Sequence, residues 1–142
     1  MKIYVASSWR NILQQNVVHT LRAVGYEVYD FKKPRPNDNG FSWKSIDPNW
    51  MAWTPEEHRE ALKHPIAQAG FKSDMDALRK CEACVLVLPC GRSAHLELGW
   101  AAGAGKKTYI LEIEPIEADL MYLMCDKLFT TFDELLQEFV PL

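Results

Sequence analysis

One carboxylate stands where carboxylates seldom do. Glu97 lies inside Ala94-His95-Leu96-Glu97-Leu98-Gly99-Trp100-Ala101-Ala102-Gly103, a run that is otherwise small or apolar apart from His95. An acid in such surroundings costs several kcal/mol, roughly, unless it is paired, which marks it as a candidate nucleophile. A second acid, Asp74 in Asp74-Met75-Asp76-Ala77-Leu78, would complete a pair suited to glycosidic chemistry. In that chemistry one group attacks the anomeric carbon and another protonates the leaving group, a retaining pair lying about 5 Å apart. Taken alone, Asp74 reads as a solvated helix acid. Ser8 and Arg10 offer a hydroxyl and a forked cation, and Gly91-Arg92-Ser93 opens a helix whose free N–H groups favour an anion. A phosphate or a sugar hydroxyl suits that setting; Ser93 reads alternatively as an ordinary N-cap.

These residues need a frame that brings them to one edge. The apolar run Ala83 to Leu88 stops at Pro89, turns at Gly91-Arg92-Ser93 and enters the Glu97 helix. That is the strand, turn and helix unit whose switch point holds ligands in open α/β sheets. Before it, residues 2–6 read as a strand, 12–24 as a helix stopped by Gly25, and 26–31 as a second strand. Pro55 after Thr54 opens a further helix, and another runs over about 66–81 with Asp74 and Asp76. Residues 107–111 and 127–130 supply the last strands, and 133–140 a closing helix. The pattern predicts an α/β fold: a doubly wound five-stranded parallel sheet flanked by helices, Rossmann or flavodoxin-like, with residues 1–142 forming one domain. The loop after strand one, the Asp74 helix and the turn into the Glu97 helix would converge at its C-terminal edge.

Residues 32–54 break this rhythm. Pro34, Pro36 and Gly40 oppose regular structure, and Trp43, Trp50 and Trp53 follow within eleven residues. The tryptophans read either as a cover for the sheet or a subunit interface, or as a lid or stacking wall for a base.

The totals exclude several classes. A formal charge of −3 gives no electrostatic case for nucleic-acid binding. No apolar run approaches the ~18 residues of a membrane span, and the opening Met1 to Ala6 reads as a strand rather than a signal peptide. A cytoplasmic protein with no membrane partner and no nucleic-acid partner is expected. Cys81-x-x-Cys84 resembles a redox or zinc pair, but no second ligand pair follows at usable spacing, so buried reduced thiols, no metal and no cofactor are expected.

With these motifs the chain resembles the nucleoside 2-deoxyribosyltransferase superfamily, which includes the deoxyribosyltransferases, the 2'-deoxynucleoside 5'-monophosphate N-hydrolases and the CMP N-glycosidases. The resemblance runs from Ile3 to about Met124 and is strongest over Gly91-Arg92-Ser93-Ala94-His95-Leu96-Glu97-Leu98-Gly99-Trp100-Ala101. It implies Glu97 as the nucleophile at C1', Asp74 as the acid that helps the base leave or bonds the sugar, and Tyr4 as the hydroxyl that orients the nucleophile. Trp9 matches a ring beside the base. Asp119-Leu120-Met121 resembles an Asn-Leu-Met stretch that reaches a neighbouring subunit's site. Two departures divide the subfamilies. Gly91 stands where the transferases carry an aspartate near the 5'-hydroxyl, with Ser93 close by. Ser8-Trp9-Arg10 instead resembles the Ser-x-Arg that holds a 5'-phosphate in the N-hydrolases.

The expected activity is therefore cleavage of the N-glycosidic bond of a (deoxy)nucleoside or its 5'-monophosphate, with transfer to water or to another base. The alternative is a nucleotide-sensing module of the same fold without turnover. A zinc deaminase would use His95-x-Glu97, but the Pro-Cys-x-x-Cys half of that signature is missing. Residues two apart also face different sides of a helix. Leu96 and Trp100 form an apolar stripe separate from Ala94, Leu98 and Ala101, so a homodimer or higher homo-oligomer is expected.

Overall fold

The structure, a computed structural model, describes residues 1–141. Its contacts divide the chain into two compact units: residues 1–30 with 78 onward, and residues 31–77.

The first unit holds five parallel strands in the order β2-β1-β3-β4-β5. They are β1 (Lys2–Ala6), β2 (Glu27–Asp30), β3 (Ala83–Val87), β4 (Lys107–Leu111) and β5 (Lys127–Phe129). Parallel neighbours require crossovers: α1 (Leu13–Ala23) links β1 to β2 and α4 (Arg92–Gly103) links β3 to β4, while α5 (Phe132–Glu138) follows the last strand. The strand order reverses between β1 and β3, so their carboxyl ends open a crevice at the switch point. The expected doubly wound sheet is present.

Side-chain alternation separates the two faces. Ile3 and Val5 of β1, with Val85, Val87 and Leu111, join Val17, Val18, Leu21, Leu135 and Phe139 in one buried cluster. Tyr4 and Ala6 point the other way, towards the face where α4 buries Ala94, Leu98 and Ala101. That leaves Leu96 75% and Trp100 39% exposed in this chain, so the second apolar stripe of α4 is open. Helix α1 ends as its sequence predicts: Gly25 takes φ 106°, a left-handed backbone that favours glycine.

The second unit contains α2 (Pro55–Ala61) and most of α3 (Pro65–Lys80). Thr54 and Glu57 form a reciprocal capping box at the start of α2. The 32–54 segment carries short 3-10 turns at Trp43–Ser45 and Trp50–Ala52. Trp43 meets Phe41, Trp53 and His58 edge-to-face at centroid distances of 4.7, 5.7 and 5.8 Å. The Asn49 N–H donates to Asp47 at 2.9 Å and Trp53 Nε1 at 2.8 Å, and these two bonds, the first foremost, hold the Asp47 carboxyl below its usual range. These rings thus pack on one another as a partly exposed aromatic cluster.

Among the described residues no helix is long and apolar enough to cross a membrane. The thiols of Cys81 and Cys84 are buried.

Candidate functional site

Tyr4 is fully buried on β1, an interior strand, because its ring stacks on Tyr29 of β2 at 5.1 Å and fills the α4 face of the sheet. Its hydroxyl reaches out of that packing and donates to Glu97 Oε2. Glu97 is half-buried in the second turn of α4, within reach of the Tyr4 hydroxyl. The two residues named from sequence as nucleophile and orienting hydroxyl are therefore in direct contact.

The carboxylate's charge is felt around it. Burial and the charge of Glu97 push the Cys90 thiol up to about 12, and Cys84 is raised well above the ordinary thiol range by burial with a smaller contribution from Glu97. Neither thiol is a thiolate at neutral pH.

The β1 loop is fixed by groups that sequence reading passed over. Ser7 Oγ donates to the Val87 carbonyl at 2.7 Å, and Asn11 Nδ2 donates to the Val87 and Pro89 carbonyls at 3.2 and 3.0 Å. Asn11 Oδ1 meanwhile accepts from the Leu13 and Gln14 N–H groups, capping α1. One buried amide thus ties the loop after β1 to the end of β3 across the switch point. Between these anchors Ser8 is half-buried, and Trp9 and Arg10 are exposed. An asparagine just before a helical pattern was a legible cap signal; its bonds to β3 were not.

The turn into α4 corrects one expectation. The N-cap is Gly91, no side chain caps the helix, and Ser93 lies inside the first turn. Ser93 is therefore not the cap, and Gly91, the residue at that position, has no side chain to accept from the first-turn N–H groups. His95 turns away from Glu97, with Nδ1 2.8 Å from the Gly91 carbonyl and Nε2 2.8 Å from the Tyr122 hydroxyl. Asp119 and Met121 lie exposed on the 3-10 turn Leu120–Met124, where Asp119 Oδ1 accepts from the Met121 N–H at 2.8 Å.

Asp74 belongs to the second unit, half-buried on α3. It borders a cavity of about 380 Å³ walled by Phe41, Trp43 and Phe71, with Gln68 at the edge. Gly70 permits this wall, since a Cβ there would meet Phe41 Cβ at 3.0 Å. No group of three metal-ligating side chains occurs among the described residues.

No protein-family model matches the chain, and no curated protein matches it in sequence. Solved structures do. A 2-deoxyribosyltransferase from the psychrotolerant bacterium Bacillus psychrosaccharolyticus matches with a TM-score of 0.64 at 17% identity, over 95% of this chain and 90% of that one. The Clostridium botulinum CMP N-glycosidase BcmB matches with a TM-score of 0.55 at 18% identity, over 97% of each chain. Over nearly its whole length the chain has the parallel α/β fold of these two proteins.

Proposed function

We propose that the chain is a member of the nucleoside 2-deoxyribosyltransferase superfamily, one such domain over residues 1–142, that cleaves the N-glycosidic bond of a (deoxy)nucleoside or its 5'-monophosphate. The contact of Tyr4 with Glu97 at the β1/β3 switch point carries this reading, and the shared fold supports it. A carboxylate oxygen of Glu97 attacks C1' of the sugar. The bond from C1' to the base nitrogen breaks, and its electron pair leaves with the base, which takes a proton from Asp74. The resulting glycosyl ester is then opened by water, giving the free sugar, or by a second base, giving a new nucleoside; the proton the attacking group gives up returns to Asp74, and Glu97 leaves as carboxylate.

The remaining roles follow from chemistry. Ser8, Arg10, Gly91 and Ser93 are suited to the 5' end of the substrate, through hydroxyls, a guanidinium and an uncapped helix start. The exposed ring of Trp9 offers a face for a heterocyclic base. Asp119 and Met121 serve a neighbouring copy's site, in a homo-oligomer that covers Leu96, Trp100, Leu120 and Leu123, all exposed or nearly so in the single chain. The protein would act in the cytoplasm without a cofactor.

The test is chromatographic: dCMP, dGMP, deoxyadenosine and thymidine are each incubated with and without an acceptor base. Free base, or a new nucleoside, is expected from the wild type and none from Glu97→Gln. Full activity in Glu97→Gln would remove the nucleophile, and ligand binding without base release would favour a sensor.

A further inference from the structure

His95 has no part in the reaction as written, yet it joins two segments that the reaction uses. Its Nδ1 lies 2.8 Å from the Gly91 carbonyl and 3.6 Å from Cys90 Sγ; a carbonyl can only accept, and this much shorter contact puts the ring hydrogen of the neutral imidazole on Nδ1. The lone pair is then on Nε2, where the Tyr122 hydroxyl stands 2.8 Å away as donor. The two rings lie nearly parallel, 12° apart with centroids 5.8 Å apart, so packing and hydrogen bonding agree on one arrangement. Burial pushes the Tyr122 phenol up to about 12, which keeps it a donor throughout the neutral range.

We propose that His95 and Tyr122 form a clamp that positions the Asp119–Met121 segment against the start of the nucleophile helix, with His95 held as its Nδ1–H tautomer. One end of the clamp is the backbone of Gly91, the N-cap of α4. The other is the 3-10 turn in which Tyr122 follows Met121 directly and Asp119 caps the start. Downstream the turn is tied to β4 by the Asp126 N–H, which donates to the Thr108 carbonyl at 2.9 Å, while Leu120, Leu123 and Met124 are mostly exposed. The imidazole thus fixes the distance between two segments to which the proposed function assigns substrate contacts, and it is a positioning residue rather than a catalytic one. The functional part of this inference rests on that reading; the clamp itself does not.

Nitrogen-15 spectra of the ring test the clamp without substrate. Wild type is expected to show the Nδ1–H tautomer, and Tyr122→Phe to move the Nε2 resonance and to speed hydrogen exchange of the amides after Asp119. An Nε2–H tautomer, or exchange that is unchanged in Tyr122→Phe, overturns the proposal. Tyr122→Phe keeps the ring and removes one oxygen, and a melting curve checks that the fold survives. For the cleavage reaction, KM should rise by about three- to tenfold, the worth of one such bond, with a smaller change in kcat. His95→Phe combined with Tyr122→Phe should cost no more than the costlier single variant, as members of one unit do. Additive losses, or an unchanged KM, would also overturn it. A wild type that releases no base defeats the proposed function, while the tautomer and exchange readings still decide the clamp.

Discussion

Tyr4→Phe removes one oxygen from the middle of the sheet. The ring keeps its place, fully buried and stacked on Tyr29 at 5.1 Å, so the packing is preserved. What disappears is the hydroxyl that donates to Glu97 Oε2. A hydrogen bond to a charged group is worth about 1.5–3 kcal/mol, so a nucleophile oriented by it should lose roughly 10- to 150-fold in turnover. The loss should fall on kcat with KM nearly unchanged, since the bond acts on the attacking atom and not on substrate binding. Stability should fall by no more than about 1–3 kcal/mol, the usual range when a partly buried polar group loses a partner. The assay follows release of free base at saturating and at limiting substrate, beside a melting curve. A variant that folds and turns over within twofold of wild type would refute the orienting role of Tyr4. A loss confined to KM would refute the argument that the hydroxyl acts through Glu97.

Other substitutions probe the frame around that contact. Asn11→Ala deletes both the α1 cap and the bonds to Val87 and Pro89; denaturant melts should show a loss of about 2–3 kcal/mol, and a loss below 0.5 kcal/mol, roughly, would disprove the tie. Cys90, pushed up to about 12 by burial and by Glu97, should react with iodoacetamide at pH 8 far more slowly than a free thiol. Glu97→Gln should speed that alkylation, because the neighbouring negative charge is gone; equal rates would mean that Glu97 carries no charge beside the thiol. Glu138 is held below the usual carboxylate range by Lys127 at 2.7 Å and by the Tyr109 hydroxyl at 3.0 Å. Its folded value lies below its unfolded one, so its contribution is present above the unfolded value and lost as pH falls through the folded one. Glu138→Gln should therefore destabilise by about 1 kcal/mol or less at pH 7, after solvent screening, and by nothing measurable at pH 2; an equal gap at both would contradict the ion pair.

The order of elements was legible along the chain, because period and punctuation are local properties. The Ala83–Val87 run of apolar residues, the stop at Gly25 and the Thr54-Pro55 start all describe short stretches of backbone, and each appears where its residues demand. The anomaly of Glu97 was legible too, since a charge among alanines, leucines and tryptophan needs no coordinates to be noticed. Its partnership with Tyr4 was available only through family resemblance, as the two lie 93 residues apart. Folding had to bring β1 and α4 together before that pairing had a physical basis. The same distance hid Asn11 from Val87 and His95 from Tyr122, which sit 76 and 27 residues apart. The tryptophans of the 32–54 stretch went unread for another reason: an aromatic ring packs equally well on a sheet, a ligand or its own neighbours. That Trp43 meets Phe41, Trp53 and His58 became visible in the folded chain alone. Local sequence sets which backbone forms can occur; hydrogen bonds between distant side chains exist only once the sheet has chosen its neighbours.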